Sequence, residues 1–474
     1  MSKISIIVSG GVSLCTYEVG VLTSFYQLFL ENDDIKFEVV GGSSAGAIST
    51  FLFAFSVFNG KNPYFMADTI IKSADIKDLL SEDDRYVFDF DNLIHIFEKT
   101  IDNRERCEFY YGCEDCKKYR SLKFCKDKIC AKKTDTDIKI VFNVTTLQPV
   151  LKDIKDAVFL NVFTLRTHNF SFVFDLKNFS NKKLYKILKS SASFPLFFPP
   201  VKYVFKEEDT REFSNFYEDK QLEIDLTDGG VTQNLPLKII FDNIKDSEKI
   251  ILIVPHPDDP KSIIENSQVI NVFDFFDTTL KLLDATFYQS YYSDLKLSFE
   301  FNRIEKKLTD LRNKIRESFE NLRKDEKKVV EKFLKDSCLD IKNLDKDIST
   351  GKKIMKIDII SPEKPSEELG GEIMKHFGGF FDRRIRYNDF LVGYFDGFEY
   401  CKNLGYKIEP LFDQNDIDQT IGKIEFKKIK NKKILIILFL KFLVSFCYPY
   451  RKNFLIILIL VVLKSIIKIL ENFQ

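Results

Sequence analysis

The 474-residue sequence contains no tryptophan, only four histidines and no excess of either charge. The 71 Lys and Arg residues balance the 71 Asp and Glu residues, so no global electrostatic field indicates a nucleic-acid partner. The first apolar run, residues 4–8, is shorter than the roughly 7–15 apolar residues of a signal peptide, so we do not expect export. The length leaves room for two or three domains and a large buried core.

The pentad GSSAG at residues 42–46 lies between two apolar runs, 37–40 and 48–57. This pattern predicts a strand, a tight turn and a helix. In a G-x-S-x-G turn the chain reverses so sharply that only small residues fit two positions either side of the serine. The pentad therefore predicts that Ser44 is a nucleophile at the start of a helix. The alternative is a Ser-Ser pair that only caps the helix.

A second turn lies near the N-terminus. The β-branched run at 4–8 reads as a buried strand, and it ends at Gly10, Gly11 and Val12 ahead of a helical stretch at 17–30. Successive backbone N–H groups in such a turn can point at an anion. We therefore expect these three residues to form an anion-binding loop.

A third turn supplies a carboxylate. The strand-like run at 224–227 leads into Asp228-Gly229-Gly230, where two glycines let the backbone come close to another element. An acid at this position can act as the base that a nucleophilic serine needs. Asp228 is therefore the candidate general base.

These three turns, in this order, resemble the patatin-like phospholipase family, in which a glycine-rich oxyanion loop precedes G-x-S-x-G and then Asp-Gly-Gly or Asp-Gly-Ala. The segment SSASFPLFFPP at 190–200 is similar to the family's small-residue segment ahead of Asp-Gly-Gly, and the match spans residues 3–240. A later segment, 381–397, is similar to an extension in a bacterial subgroup. The resemblance implies a three-layer α/β fold with a central, mostly parallel sheet.

The glycine loop departs from the family pattern. Many members carry a third glycine followed by Arg or Lys, whereas this chain has Val12 and Leu14 there, and Cys15 replaces a further glycine. We expect Val12 to avoid the positive φ angles that glycine tolerates. Its amide can still donate a hydrogen bond, so Gly10, Gly11 and Val12 remain the predicted oxyanion hole.

The chemistry that the resemblance implies is acyl transfer from an ester, with no cofactor. Ser44 attacks the carbonyl carbon, Asp228 accepts the proton and the loop amides stabilise the oxyanion. A carboxylate is a weak base at its reference pKa of about 4, so we expect apolar surroundings that raise this pKa. Either water or an alcohol can release the acyl group, so hydrolase and transacylase both remain open.

A Ser-His-Asp triad is the alternative to this dyad. His256 follows the strand-like run at 250–253 and gives the chain order Ser44, Asp228, His256 of the α/β-hydrolases. However, Ser44 follows only the second predicted strand, which is too early for the nucleophile elbow of that fold. We therefore predict a dyad and expect that His256 is dispensable.

Five of the nine cysteines lie within a charged insert at 102–135. Cys113 and Cys116 followed by Cys125 and Cys130 provide four thiolates for a structural zinc, which is the metal expected in a non-exported chain. A disulfide or unliganded thiols are the alternatives. The insert is also rich in Lys and Arg, which favours either a surface for phosphate head groups or a solvated loop.

The C-terminal half changes character twice. Residues 261–410 are predicted to form a helical extension, and the charged stretch at 304–334 reads as one or two solvated helices rather than a coiled coil. A basic linker at 411–433 precedes two apolar runs, 434–448 and 454–470.

The two apolar runs predict a membrane-associated hairpin at 434–474. Each is shorter than a helix that crosses the roughly 30 Å hydrocarbon core, so a hairpin in one leaflet and two thin spans are both possible. Two helices buried in the protein are the third alternative. The basic residues at 427–433 favour an anionic cytoplasmic leaflet, which predicts a catalytic domain on the cytoplasmic side.

The sequence thus predicts an acyl hydrolase core at 1–260, followed by the extension, the linker and the hairpin. A hairpin in the membrane would hold the site where acyl chains are found, so lipid is the expected substrate. The competing hypothesis is a patatin-like scaffold that binds lipid or tethers another protein without catalysis. The sequence does not indicate which protein partner such a scaffold would bind.

Overall fold

The computed structural model describes residues 2–81, 85–91, 94, 137–155, 162–176, 181–195, 197–206, 209, 222–247, 249–255, 275–337, 341, 343–344, 355–363, 369–372, 377–417, 437, 440–441, 444 and 454–472. The predicted cysteine-rich insert at 102–135 and His256 lie outside these residues. The zinc site at Cys113, Cys116, Cys125 and Cys130 therefore stays a prediction.

An eight-stranded sheet forms the centre of the described molecule. Its strands are β1 (Ser2–Val8), β2 (Ile35–Gly42), β3 (Lys139–Lys155), β4 (Val162–Asp175), β5 (Val201–Phe205), β6 (Leu222–Asp228), β7 (Lys249–Ile253) and β8 (Lys356–Ile360). They lie in the order β5-β6-β3-β2-β1-β7-β8, and β4 pairs with β3.

The direction of the strands divides the sheet into two parts. The neighbours β8, β7, β1, β2 and β3 pair in parallel, whereas β4 and β6 pair antiparallel to β3 and β5 pairs antiparallel to β6. The prediction of an α/β fold with a mostly parallel central sheet is confirmed.

The parallel strands form because their residues are apolar on both faces. In β7, the residues at 250–253 are all fully buried, and an uninterrupted apolar run is typical of a strand covered on both sides. In β1, Ile6 and Ile7 point to opposite faces and belong to two separate apolar clusters. The sheet therefore has a buried core on each side.

The helices with described bounds are eleven in number. They are α1 (Cys15–Glu31), α2 (Ala45–Asn59), α3 (Pro63–Ser73), α4 (Ile76–Leu79), α5 (Asn181–Ser191), α6 (Leu237–Asn243), α7 (Phe275–Glu320), α8 (Lys324–Asp336), α9 (Gly378–Phe381), α10 (Arg383–Asn403) and α11 (Phe454–Asn472). The helices α1 and α2 follow β1 and β2 directly, so both begin at the carboxyl ends of neighbouring parallel strands. Ligand sites in open α/β sheets lie at this edge.

The helix α10 comes from the segment that resembles a bacterial extension, and it packs tightly along α1. A Cβ atom added at Gly20 would lie 2.1 Å from the carbonyl oxygen of Phe390, and one added at Gly393 would lie 2.0 Å from that of Tyr17. Only glycine permits two helix backbones to approach this closely. The extension therefore packs directly against the helix that follows the glycine loop.

The charged stretch at 304–334 forms two helices, the second half of α7 and then α8, as one of the sequence alternatives predicted. Large apolar side chains on α8 face solvent, since Val329 and Phe333 are 70% and 67% exposed. The N-terminal half of α7 differs, because Ser290 and Asp294 contact the core near the turn that follows β6. The part of α7 that precedes the charged stretch is thus docked on the domain.

Of the described helices, none combines the length and the apolar character needed to cross a bilayer. The helix α11 packs Leu460 and Ile467 against Ile437 and Val444 of the preceding apolar run. Of the other apolar side chains of α11, Val461 is exposed, and Ile459, Val462 and Ile466 form an exposed stripe along a different face. The membrane hairpin stays a prediction.

Candidate active site

Ser44 lies in the tight turn between β2 and α2. Its backbone has φ 56° and ψ −132°, a conformation that L-residues rarely adopt. A Cβ atom at Gly42 would lie 2.4 Å from the Gly46 carbonyl oxygen, and one at Gly46 would lie 2.4 Å from the Ser9 carbonyl oxygen. Gly42 is thus required by the tightness of the turn itself, and Gly46 by the close approach of α2 to the end of β1. The strained turn resembles a nucleophile elbow.

Asp228 is the last residue of β6, and three contacts fix its position. Its backbone N–H donates to the Ser193 carbonyl oxygen at 3.0 Å, and its Oδ1 accepts a hydrogen bond from the Gly230 N–H at 2.8 Å. A Cβ atom at Gly229 would lie 2.1 Å from the Asn143 carbonyl oxygen, so the turn runs directly along β3. The segment that contains Ser193 is the one that resembles the family's small-residue segment.

The Ser44 hydroxyl donates a hydrogen bond to Asp228 Oδ2 at 2.5 Å. Asp228 is fully buried and Ser44 is 5% exposed. Burial raises the pKa of Asp228 from 3.8 to about 7, although the hydrogen bonds from Ser44 and Gly230 oppose this rise. A carboxylate with a pKa near neutrality is a much better proton acceptor than an exposed one.

The glycine loop passes directly over Ser44. A Cβ atom at Gly10 would lie 2.7 Å from Ser44 Cβ, so any larger residue would displace the serine. The Gly10 N–H donates to Asn234 Oδ1 at 2.7 Å. Among the described residues, none accepts a hydrogen bond from the N–H of Gly11 or Val12, which leaves these two amides available to an anion.

Val12 has a φ of 52°, so the expectation that it avoids positive φ is wrong. For a β-branched residue this conformation is an outlier, and such strain costs on the order of 1–3 kcal/mol. The short 3-10 helix Val12–Leu14 begins at this residue, and the Ser13 hydroxyl accepts a hydrogen bond from the Gly379 N–H at 2.9 Å. Contacts with the extension thus support a loop conformation that local preference opposes.

An apolar cavity opens beside Ser44. Its aromatic lining consists of Phe90, Phe194, Phe198, Phe377 and Phe380, and the other lining residues are Val, Ile, Leu, Ala and Cys side chains. Among its described lining residues, the Ser44 hydroxyl and the Cys15 thiol are therefore the only hydrogen-bonding side-chain groups, and none is charged. A site of this kind suits a hydrocarbon chain.

Arg386 of α10 holds two walls of this cavity together. Its buried guanidinium donates to the carbonyl oxygens of Ile71 and Ala74 at 2.8 and 3.2 Å, and to that of Gly379 at 2.8 Å. Ala74 lines the cavity from the end of α3, and Phe380 lines it from α9. The extension therefore completes the cavity that the first part of the chain begins.

A buried carboxyl group lies under the glycine loop. Glu18 of α1 accepts a hydrogen bond from the Ser49 hydroxyl at 2.7 Å, and its Oε1 would be 2.9 Å from a Cβ atom at Gly11. Burial raises the pKa of Glu18 to about 8. The sequence pattern did not single out this residue, because a single Glu in an apolar helix carries no motif.

His168, in β4, is the histidine that the structure describes. Its Nδ1 lies 2.7 Å from the Thr146 carbonyl oxygen, so its ring is engaged on the sheet. Ser44 contacts Asp228 directly, without a histidine between them. Among the described residues, the serine and the carboxylate therefore form a two-residue pair.

The fold and this pair define a class of α/β proteins in which a serine at a strand-to-helix turn faces a buried carboxylate. Residues 6–241 match the family model for Patatin-like phospholipase. This part of the chain belongs to the patatin-like phospholipase family, as the order of its three turns predicted. Membership implies a lipid acyl hydrolase in general terms.

Among curated proteins, none matches this chain. A solved structure that is similar to it is the crystal structure of VipD from Legionella pneumophila, with 11% sequence identity and a TM-score of 0.30. The alignment covers 56% of this chain and 52% of that chain. The chain thus spans about half the length of VipD.

Proposed function

We propose that this protein is a serine acyl hydrolase of the phospholipase A or lysophospholipase type, which cleaves lipid esters through an acyl-enzyme on Ser44. The observation that carries the proposal is the 2.5 Å hydrogen bond from the Ser44 hydroxyl to Asp228 at the edge of an apolar cavity. The family membership supports the lipid substrate.

In the first half-reaction, Ser44 Oγ attacks the ester carbonyl carbon while Asp228 Oδ2 takes the hydroxyl proton. The C–O bond to the leaving alcohol then breaks, and this alcohol receives the proton from Asp228. In the second half-reaction, Asp228 takes a proton from water, and the resulting oxygen nucleophile attacks the acyl-enzyme. The fatty acid leaves and Ser44 regains its proton.

The oxyanion needs donors beside Ser44, and we assign them to the N–H groups of Gly11 and Val12. Both groups are without an acceptor among the described residues. The N-terminus of α2, which begins at Ala45, adds its positive dipole end. In this conformation the Gly10 N–H is instead engaged by Asn234.

The direct test is covalent labelling of the purified protein by a fluorophosphonate probe, with the adduct located by mass spectrometry. We expect one adduct, on the peptide that contains Ser44, and hydrolysis of a phospholipid in the same preparation. The probe requires an activated serine and a working oxyanion hole, so an exposed serine elsewhere should not react. A folded protein that shows neither labelling nor hydrolysis would contradict the proposal.

We further propose that α11 associates the protein with the membrane surface, with the catalytic domain on the cytoplasmic side. Its exposed stripe contains Ile459, Val462 and Ile466, and residues spaced in this way lie along one helix face. Lys441, in the run that packs against α11, donates to the Ser81 carbonyl oxygen at 2.7 Å. Leu79, which lines the cavity, lies two residues before Ser81. The apolar run that packs against α11 is therefore hydrogen-bonded to the segment that forms one wall of the cavity.

Replacing Ile459, Val462 and Ile466 together by Ser should weaken binding to anionic phospholipid vesicles by roughly tenfold or more, because apolar area is lost from the interface. Hydrolysis of a soluble short-chain ester should be unchanged. The matched control replaces Val329 and Phe333, which are exposed apolar residues on α8. Equal vesicle binding by both variants would rule out α11 as the membrane-facing element.

A patatin-like scaffold without catalysis is the second candidate. The occupied Gly10 amide favours it, because it removes one of the three donors that the glycine loop was expected to offer. The fluorophosphonate experiment separates the two candidates, since a scaffold would fold and bind lipid without forming the Ser44 adduct.

A further inference from the structure

The helix α7 contacts the loop that follows Asp228. The Ser290 hydroxyl accepts a hydrogen bond from the Asn234 N–H at 3.0 Å and donates to the Thr232 carbonyl oxygen at 3.2 Å. One turn later, Asp294 Oδ1 accepts from the Gln233 side chain at 3.3 Å. Three consecutive loop residues, 232–234, are thus bound by one helix of the extension.

Two of these residues, Gln233 and Asn234, bind the catalytic turns on their other side. The Asn234 side chain accepts a hydrogen bond from the Gly10 N–H, and the Gln233 carbonyl oxygen accepts one from the Ser43 hydroxyl at 2.9 Å. Asn234 is only 3% exposed, so its amide group has little room to turn. The 232–234 loop therefore lies between α7 and the two turns that carry the glycine loop and Ser44.

We propose that Asn234 and Ser290 are positioning residues, through which α7 sets the conformation of the glycine loop over Ser44. The inference rests on the proposed function, because the loop is taken to hold the oxyanion. It assigns a role in the site to a helix of the extension, outside the residues that match the family model.

The physical reason is the freedom of glycine. Gly10 and Gly11 can adopt many backbone conformations, whereas an oxyanion hole needs donors fixed near 2.7–3.1 Å from the developing charge. The bond from Gly10 to Asn234 removes this freedom one residue before the two available amides. Ser290 in turn satisfies the Asn234 N–H and the Thr232 carbonyl oxygen, for which no other described residue provides a hydrogen-bond partner.

The test compares three serine variants of the full chain on a soluble short-chain ester. Ser290→Ala should lower kcat by about tenfold with little change in KM, because the loss affects the transition state more than ester binding. Ser290→Thr keeps the hydroxyl and should restore most of kcat. Ser293→Ala makes the same change on an exposed position of the same helix, and it should match the wild type.

A second measurement does not depend on activity. Amide hydrogen exchange of the peptide that spans residues 8–14 should be faster in Ser290→Ala and in Asn234→Ala than in Ser293→Ala. Faster exchange in a protein with no hydrolysis would support the positioning role while the proposed function failed. Wild-type kcat and wild-type exchange in Ser290→Ala would overturn the inference, and so would an equal loss in Ser293→Ala.

Discussion

Replacing Asp228 by Asn is expected to lower kcat by about 10⁴-fold, close to the loss expected for Ser44→Ala. The amide cannot accept the Ser44 proton as a carboxylate does, although its shape and its bond with Gly230 are kept. KM should change little, because Asp228 contacts the nucleophile rather than the acyl chain. Steady-state kinetics with a soluble ester measure both parameters.

The pH dependence identifies the group that acts as the base. Since the base must be ionised, the wild-type rate should fall tenfold per pH unit below about pH 7, where Asp228 becomes protonated. Asp294 is partly buried, and desolvation also raises its pKa to about 7, so Asp294→Asn is the informative control. The fall in rate below about pH 7 should persist in Asp294→Asn. Its disappearance in that variant would show that Asp294, rather than Asp228, is the group that titrates.

The pH dependence of the free energy of unfolding gives an independent check, because ionisation of Asp228 should raise activity but lower stability. The folded-state pKa of Asp228 is raised from 3.8 to about 7, so its neutral form is favoured in the folded protein. The stabilisation is present below about pH 4 and is lost as the pH rises through about 7. Asp228→Asn should therefore be more stable than the wild type at pH 8, which also shows that an inactive variant is folded.

The local elements around the site could be predicted from the sequence. An apolar run, a pentad of small residues and a second apolar run predicted a strand, a turn and a helix, and the structure has β2, the Ser44 turn and α2 there. Asp228 likewise ends a strand at a glycine turn. These signals are local, because each depends on the period and size of neighbouring side chains.

The remaining features depend on contacts between distant parts of the chain. Gly10 and Asn234 are separated by 224 positions, and no spacing rule relates them. The positive φ of Val12 was mispredicted because its turn also packs against the extension through Gly379, where tertiary contacts offset the local cost. The contact of α7 with the 232–234 loop was missed for the same reason, since Ser290 has no recognisable motif.

The crossing of α1 and α10 leads to the second large effect. Gly393→Ala should destabilise the folded protein by about 3 kcal/mol, because its methyl group would lie 2.0 Å from the Tyr17 carbonyl oxygen and force the helices apart. Denaturant unfolding measures the loss. Gly405→Ala is the control, since a Cβ atom there meets nothing within 4 Å, although its φ is 92°. It should cost about 1 kcal/mol from the backbone alone.

Gly20 faces the same crossing from the other helix, which makes the mechanism testable by a double-mutant cycle. A Cβ atom at Gly20 would lie 2.1 Å from the Phe390 carbonyl oxygen, so Gly20→Ala alone should cost as much as Gly393→Ala. Once one methyl group has separated the helices, the second should cost much less, and the double variant should be less destabilised than the sum. Additive losses would show that each methyl group is accommodated independently rather than through a shared separation of α1 and α10.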